Sequence, residues 1–273
     1  MIRRPAVSDL FYPASRDKLN ETVDKLLAGA KAEERRAKAF VAPHAGYQYS
    51  GATAAYTYKA LQSMAELNTI DTFVIVGPNH TGYGDELSVS AADWLMPFGT
   101  VRNDTEFSTE LSKISKSISL DESAHAQEHS VEVQLPFLQK IVNNPVCVFI
   151  CMGDQSYKNC ELLSDAIRKA SARLARSVTV IASSDFNHYE STSIANRKDI
   201  PAINALDKID AEQFHKLIEK NDDSACGYGP ITAAALYARK NGAKTGKLLK
   251  YSNSGDVTGD YNSVVAYASI VFS

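Results

Sequence analysis

Hydrophobic and polar positions alternate along the chain with two different periods, and the change of period marks the predicted secondary structure. Short apolar runs rich in β-branched residues predict strands at 38–42, 72–76, 146–152, 178–182 and 263–272. Stretches with apolar residues three and four positions apart predict helices at 53–65, 160–175, 202–220 and 231–240. Alternating strands and helices are typical of βα units. The pattern therefore predicts an α/β fold, with a largely parallel or mixed central sheet covered by helices on both faces as a three-layer αβα domain.

Composition adds few constraints to this picture. A chain of 273 residues that is 44% hydrophobic can bury a sizeable core, and no repeat or linker divides it, so we expect a single domain over residues 1–273. The formal net charge of -3 gives no basic surface for nucleic acid. No apolar run approaches the roughly 18 residues of a membrane span, and no secretory signal is visible. The four cysteines are too sparse for a disulfide framework, which favours a cytoplasmic protein.

Polar residues capable of chemistry gather where the predicted strands end. Four such loops follow their strands directly: Pro43-His44-Ala45-Gly46-Tyr47, Gly77-Pro78-Asn79-His80, Gly153-Asp154 and Ser183-Ser184-Asp185-Phe186-Asn187-His188. In open α/β sheets, the loops beyond the carboxyl ends of parallel strands form the ligand crevice. We therefore expect these four loops to converge on one site.

Two histidines of these loops, His44 and His80, are the predicted metal ligands. Neutral imidazole suits iron, copper, zinc or nickel, and two imidazoles need a third, anionic group to complete a tight site. Spacing alone leaves four candidates for that group: Asp154, Asp185, Glu128 and Cys226. Cys226 has the most suggestive context, because two glycines and a proline follow it before a predicted helix. Its sulfur could lie at a helix amino terminus that favours the thiolate.

Asp185 and His188 lie three residues apart in one loop. This spacing would let the carboxylate fix the tautomer of the imidazole, and a neutral His188 beside a metal could accept a proton from a bound hydroxyl group. A loop-capping Asp beside a surface His is the alternative interpretation.

The segment from His125 to His129 also carries the H-x-x-E-H pattern of inverted zinc peptidases. Such peptidases need two His ligands one helical turn apart, with the adjacent Glu as the base. Pro136 soon interrupts any helix here, and short patterns of common residues often arise by chance. A zinc peptidase acting through His125 and His129 is therefore a weaker alternative.

Eight motifs spread over nearly the whole chain form a characteristic set, and they lie at 4–7, 11–13, 42–47, 77–82, 128–132, 183–189, 226–230 and 254–256. Together they resemble the Memo family, whose bacterial and archaeal members are often called AmmeMemoRadiSam system protein B. The Memo family is similar in fold to the class III extradiol dioxygenases, which hold non-haem iron(II) with two His and a Glu and use a further His as the base. The resemblance thus implies a dioxygenase-like fold.

The resemblance also implies a role for each matching residue. His44 and His80 correspond to the two His ligands, Cys226 occupies the place of the carboxylate, and His188 matches the base with Asp185 beside it. His129 is expected to line the same pocket. A thiolate is softer than a carboxylate, so the substitution moves the metal preference from iron(II) toward copper(I) or zinc.

Two functions follow as hypotheses. The first is a metal-dependent, dioxygenase-like oxidoreductase with iron(II), or copper or zinc, at His44, His80 and Cys226. The second is a non-catalytic module that binds a metal, a small molecule, a peptide or a protein partner in the former active-site cleft, as the resemblance to eukaryotic Memo proteins that recognise phosphotyrosine peptides implies.

Overall fold

The fold is a mixed sheet of twelve strands between two layers of helices, as seen in a computed structural model that describes residues 1–31, 36–64 and 67–273. The strands are β1 (Ile2–Arg3), β2 (Ala39–Ala42), β3 (Thr72–Pro78), β4 (Leu87–Val89), β5 (Asp93–Met96), β6 (Gly99–Asn103), β7 (Ile118–Leu120), β8 (Val146–Met152), β9 (Val178–Ser183), β10 (His188–Glu190), β11 (Gly246–Asn253) and β12 (Val264–Phe272). The α-helices are α1 (Arg16–Gly29), α2 (Tyr47–Gln62), α3 (Thr105–Ile114), α4 (Leu135–Ile141), α5 (Tyr157–Leu174), α6 (Thr192–Leu206), α7 (Ala211–Lys220), α8 (Tyr228–Lys240) and α9 (Gly255–Thr258).

The centre of the sheet is parallel. Strands β8, β3, β9 and β2 lie side by side in that order and run in one direction, so their carboxyl ends meet at one edge. Beyond β2 the sheet continues with β12, which is antiparallel to β2, and β12 in turn pairs with β10 and β11. The predicted alternation of strands and helices is thereby confirmed.

Alternating residues of the buried strands point into two separate cores. In β3, Val74 and Val76 join the core formed with α3, α5, α6, α7 and α8, while Phe73 and Ile75 join the core formed with α1, α2 and α4. A strand that is apolar on both faces fits only between two helical layers. The three-layer αβα architecture follows. Among the residues that the structure describes, no helix is long and apolar enough to cross a membrane.

Helix boundaries differ from the sequence predictions in two places. The stretch predicted as one helix at 202–220 forms two, because α6 ends at Leu206 and the Asp210 side chain caps α7 by accepting a hydrogen bond from the Gln213 N–H. The helix predicted at 53–65 begins earlier, at Tyr47, and ends at Gln62. Its predicted last residue, Ala65, lies outside the described residues.

A buried ion pair fixes the first residues of the chain beneath the strand ends. The Arg3 guanidinium donates to the Glu132 carboxylate at 2.5 Å and to the His125 and Glu128 carbonyl oxygens at 2.8 and 2.6 Å. Glu132 also accepts hydrogen bonds from the Ala6 and Val7 N–H groups and from the Tyr12 hydroxyl, which fills the capacity of its two oxygens. The ion pair therefore joins residues 3–12 to the loop that carries Glu128 and His129.

A second buried polar contact holds the loop before Cys226 against α6. The carboxyl groups of Asp199 and Asp223 are hydrogen-bonded to each other, and Asp199 also accepts from the Tyr251 hydroxyl at 2.5 Å. Burial and then the neighbouring charge of Asp223 raise the pKa of Asp199 to about 9. The pair therefore holds a proton in neutral solution, because two buried carboxylates so close cannot both ionise.

We predict that Glu132→Gln lowers the free energy of unfolding by about 3 kcal/mol, since it leaves the buried Arg3 guanidinium without a counter-charge. The measurement is urea unfolding. Glu110→Gln is the matched control, because Glu110 forms an ion pair with Arg173 at 2.6 Å on the surface and should lose less than about 1 kcal/mol. Equal losses in both variants would contradict the structural role of the Arg3–Glu132 pair.

We predict that Asp199→Asn flattens the dependence of stability on pH. Because the folded-state pKa of Asp199 is about 9, above its ordinary value of 3.8, its contribution to stability is complete below pH 3.8 and is lost as the pH rises toward 9. The neutral Asn should therefore gain stability relative to wild type between pH 5 and pH 8.5, by at least about 1 kcal/mol.

Urea unfolding at the two pH values measures this effect, and Asp165→Asn, on the surface beside Lys240, is the control. A wild-type stability that changes with pH in the same way as that of Asp199→Asn would refute the shared proton.

Candidate metal centre

Three predicted ligands meet at the carboxyl edge of the sheet. His44 follows β2, His80 follows β3, and Cys226 lies in the loop before α8. One ligand atom from each lies within 4.8 Å of the other two, and the Cys226 Sγ atom is 3.2 Å from His44 Nε2. His44 is buried, while the His80 side chain is 34% exposed. The structure therefore gathers two imidazoles and one thiol at a point that solvent can reach.

The ring of His44 is oriented by a serine of the neighbouring strand. The Ser183 hydroxyl donates to the Ser130 carbonyl oxygen at 2.6 Å, so its oxygen is left to accept from His44 Nδ1, 2.8 Å away. The Gln134 amide donates to the same hydroxyl at 2.8 Å. This pattern places the His44 proton on Nδ1 and leaves the Nε2 lone pair directed toward Cys226.

The ring of His80 is oriented by a buried carboxylate. Glu128 accepts hydrogen bonds from His80 Nδ1 at 2.9 Å and from the backbone N–H groups of His80, His129 and Ser130. Burial alone would raise the pKa of Glu128, but the hydrogen bond from His80 and the nearby His80 and His129 rings lower it to about 2. An ionised Glu128 only accepts, so His80 carries its proton on Nδ1 and its Nε2 is free. Carboxylates orient metal-binding histidines in this way in many proteins.

The donor set fits a metal ion. Two groups bound to one tetrahedral ion at 2.0 to 2.3 Å lie roughly 3.5 Å apart, close to the separation of Cys226 Sγ and His44 Nε2. Burial, followed by the neighbouring His129 and His80 rings, lowers the pKa of His44 well below its ordinary value, which keeps the imidazole neutral and able to bind a cation.

The protonation state of Cys226 differs from the one expected from the sequence. Its position before α8 was expected to favour the thiolate, but burial and then the Asp185 charge raise the pKa of Cys226 well above its ordinary value. The amino end of a helix does not outweigh this loss of hydration. Without a cation Cys226 is a thiol, and metal binding would have to release its proton.

His129 borders the same centre. Its ring stacks on His80 with centroids 4.5 Å apart and meets the edge of His44 at 5.3 Å. Burial lowers the pKa of His129 to about 4 although the Glu128 charge opposes this shift. Ligand atoms of His80, Glu128 and His129 also lie within 4.8 Å of one another. This second group shares His80 with the first, and its short contact between His80 and Glu128 serves to orient the ring.

His188 lies in β10 at the rim of the site, and a backbone carbonyl orients it. His188 Nδ1 donates to the Ser224 carbonyl oxygen at 3.0 Å, and the His188 N–H donates to the Ser224 hydroxyl at 2.7 Å. Burial lowers the pKa of His188. The ring is therefore neutral near pH 7, with Nε2 free to accept a proton.

The prediction that Asp185 fixes the tautomer of His188 is wrong. The Asp185 carboxyl group instead accepts from the backbone N–H groups of His44, at 2.8 Å, and Ala45, at 3.3 Å. These donors lie closer than the His188 ring because β9 is paired directly with β2. Burial raises the pKa of Asp185 to about 7 against the effect of these hydrogen bonds. Asp185 holds the turn that carries His44.

Two glycines allow the loops of the site to approach the sheet. A Cβ atom on Gly227 would lie 2.5 Å from the Ser183 carbonyl oxygen, and one on Gly77 would lie 2.3 Å from the Ser130 hydroxyl. Any larger residue at Gly227 would push the Cys226 loop away from His44. Any larger residue at Gly77 would displace the loop that carries Glu128.

The peptidase alternative loses its geometric basis. Between β7 and Glu132 the chain, which is fully described here, forms turns and bends without a helix. His125 is buried, its Nε2 lies 3.2 Å from the Ser88 carbonyl oxygen, and its ring packs on the edge of Trp94. His125 therefore does not face the cleft in which His129 lies.

A groove of about 800 Å³ lies between α1, α2 and the loop at 9–13. Its walls include Leu10, Phe11, Tyr47 and Tyr56. Phe11 also contacts the candidate centre, because its ring centroid is 4.7 Å from that of His129.

Several supporting residues escaped the sequence analysis. They are the acceptors Ser183 and Ser224, the aromatic Phe11 and the orienting role of Glu128, which was considered only as a third ligand or as the base of a peptidase. Their partners are distant in sequence, so no local spacing marks them. Ser183, Phe11 and Glu128 lie within the matching motifs, whereas Ser224 lies outside them.

Comparison with known proteins agrees with this description. Residues 3–271 match the family model described as Memo-like protein. A MEMO1 family protein of Methanosarcina barkeri is 39% identical over 271 residues, which cover 99% of each chain. One of Methanopyrus kandleri is 41% identical over 283 residues, covering 100% of this chain and 99% of its own.

Among solved structures, an uncharacterized protein from Escherichia coli K12 has the same fold, with a TM-score of 0.53 and 13% sequence identity. The match covers 85% of this chain and 99% of the chain from Escherichia coli. Family model and relatives alike extend over nearly the full length of the chain, so the protein belongs to the Memo family.

Proposed function

We propose that this protein is a metal-dependent oxidoreductase of the dioxygenase-like type, with His44, His80 and Cys226 as the ligands of iron(II), or of copper or zinc. The observation that supports this most is the orientation of the two imidazoles. Ser183 and Glu128 bind the Nδ1 atoms of His44 and His80, so both Nε2 lone pairs are left to bind a cation, and one ligand atom of each ring lies within 4.8 Å of the Cys226 sulfur. Histidines packed only for stability would not need this shared orientation.

The composition of the donor set bears on the choice of metal. Three ligands leave open positions for a substrate, as in the facial sites of non-haem iron(II) oxygenases. The resemblance to extradiol dioxygenases favours iron(II), whereas the soft sulfur of Cys226 favours copper(I) or zinc. We propose iron(II) first and keep copper and zinc as alternatives.

The residues around the centre would bind a hydroxylated substrate and take up its proton. When bound, the metal supplies a Lewis acid and, for iron or copper, a one-electron redox couple. His188 is neutral and presents Nε2, so it can accept a hydroxyl proton, and its Nδ1–H donates to the Ser224 carbonyl oxygen, which stabilises the resulting imidazolium. The rings of His129 and Phe11 pack together at one side of the cleft.

The groove supports a second candidate function. The groove lined by Leu10, Phe11, Tyr47 and Tyr56 could hold a small molecule or a peptide of a protein partner without turnover. Oxygen uptake on addition of catechols would favour the oxidoreductase. Tight ligand binding that survives loss of His188, with no oxygen uptake, would favour the binding module.

We also propose that the protein works in the cytoplasm. All four cysteines are free, and Cys226 has to stay reduced to act as a ligand.

We predict that Cys226→Ser weakens binding of copper(I) and zinc far more than binding of iron(II), because a neutral hydroxyl replaces a polarizable sulfur. Cys226→Glu should shift the preference toward iron(II), since two His and one carboxylate form the facial set suited to that ion. Anaerobic titration with each metal measures the affinities.

The matched control for these titrations is His125→Ala, which removes a histidine outside the centre. It should keep the metal affinities of wild type, provided that circular dichroism shows the native fold. Identical affinities in the wild-type, Ser and Glu proteins would mean that Cys226 is not a ligand.

We predict that His188→Ala keeps the bound metal and loses turnover of a hydroxylated substrate by a factor of about 10² or more, the usual contribution of a general base. Oxygen uptake and elemental analysis of the same sample measure both properties. A variant that loses its metal would show that His188 is a ligand, and unchanged turnover would remove it from the mechanism.

A further inference from the structure

Tyr189, next to His188, has a backbone conformation that its side chain disfavours. Its φ angle is +61°, in the left-handed region that glycine, Asn and Asp tolerate far better than an aromatic residue. The side chain gains little burial in return, because it is 78% exposed. Strain of this kind persists only where the surroundings impose it.

The other described non-glycine residues with positive φ have ordinary explanations. Three are Asp or Asn, which tolerate the conformation: Asp9, Asn144 and Asp222. Ala175 ends α5 in a left-handed cap, and Ile209 follows α6 with its side chain buried in the core. Tyr189 has neither explanation, because it lies within a strand and points to solvent.

The neighbours of Tyr189 hold it in place. His188 pairs with Val265 and Glu190 with Val264, so Tyr189 is the extra residue of a bulge in β10. His188 is bound on one side by Ser224, and Glu190 is bound on the other by Lys198 at 2.9 Å and Asn187 at 2.7 Å. Bulges beside active sites redirect a side chain. Here the bulge directs an aromatic ring outward beside the proton acceptor.

We propose that Tyr189 is a specificity-determining residue, whose ring stacks on a planar, conjugated ring of the substrate while His188 accepts the substrate's hydroxyl proton. This inference rests on the proposed function, because it takes His188 as that acceptor. The Tyr189 and His188 rings lie with centroids 5.7 Å apart and planes 63° apart, so a ligand that contacts the Tyr189 ring lies next to His188.

The chemistry of an exposed phenol ring selects the ligand class. An aromatic face gains from contact with another planar ring through stacking and loss of poorly hydrated surface, and a saturated ring of the same size cannot stack. The site should therefore favour a hydroxylated aromatic compound over its saturated counterpart.

The test compares 2-naphthol with decahydro-2-naphthol, which carry the same hydroxyl group on a planar and a saturated ring. Saturation-transfer NMR on metal-free protein measures both affinities. Wild type should prefer 2-naphthol, and Tyr189→Gly should weaken 2-naphthol binding about fivefold while leaving the saturated compound unaffected. Tyr189→Phe keeps the ring and should retain the affinity.

The same variants test the strain. Tyr189→Gly should keep or raise the urea midpoint, whereas loss of an unstrained tyrosine from a strand lowers it. Ala175→Gly, at the end of α5, is the control that removes a positive-φ side chain without touching the cleft, and it should leave 2-naphthol binding unchanged. Equal binding of the two naphthols by wild type, undiminished binding by Tyr189→Gly, or a lowered midpoint in that variant would overturn the proposal.

Metal content, measured separately by elemental analysis, keeps this result distinct from a failure of the proposed metal centre.

Discussion

A buried carboxylate stays ionised only where several donors surround it, and Glu128 finds its donors in the residues that build the candidate metal centre. It accepts from the His80 ring and from three backbone N–H groups around the cleft, those of His80, His129 and Ser130. One carboxylate thereby fixes the tautomer of His80, a candidate ligand, and the position of the loop that lines the cleft. The Arg3–Glu132 ion pair holds this loop from beneath. Protein contacts alone therefore organise the candidate centre.

The topology of the sheet explains why these residues can meet. Strands β2, β9 and β3 are parallel neighbours, so His44, Ser183 and His80 emerge from one edge although they are far apart in the sequence. Cys226 comes from a different element, the loop before α8, and the absence of a side chain at Gly227 lets that loop approach Ser183. The candidate site therefore lies beyond the carboxyl ends of parallel strands, where ligands generally bind in open α/β sheets.

The hydrophobic pattern of the sequence predicted the five longest buried strands. A strand that is covered on both faces is apolar at consecutive positions, so it appears in the sequence as a continuous apolar run. The short strands, such as β4 and β7, and the division between α6 and α7 depend on pairing and capping that such runs do not reveal. The location of His44, His80 and Cys226 near one edge was also predictable from strand ends and from the family resemblance. Their environment was not, because the thiol pKa depends on burial and the partners of Asp185 lie 141 and 140 residues away in the chain.

In the proposed centre, two imidazole nitrogens and the Cys226 sulfur hold one metal ion. The most direct measurement is X-ray absorption at the metal edge of protein purified anaerobically, with elemental analysis of the same sample to identify the ion. We expect about one metal per chain, with one sulfur near 2.3 Å and two nitrogens near 2.0 to 2.1 Å if the ion is zinc. A metal coordinated without sulfur, or a protein that takes up neither iron, copper nor zinc, would contradict it.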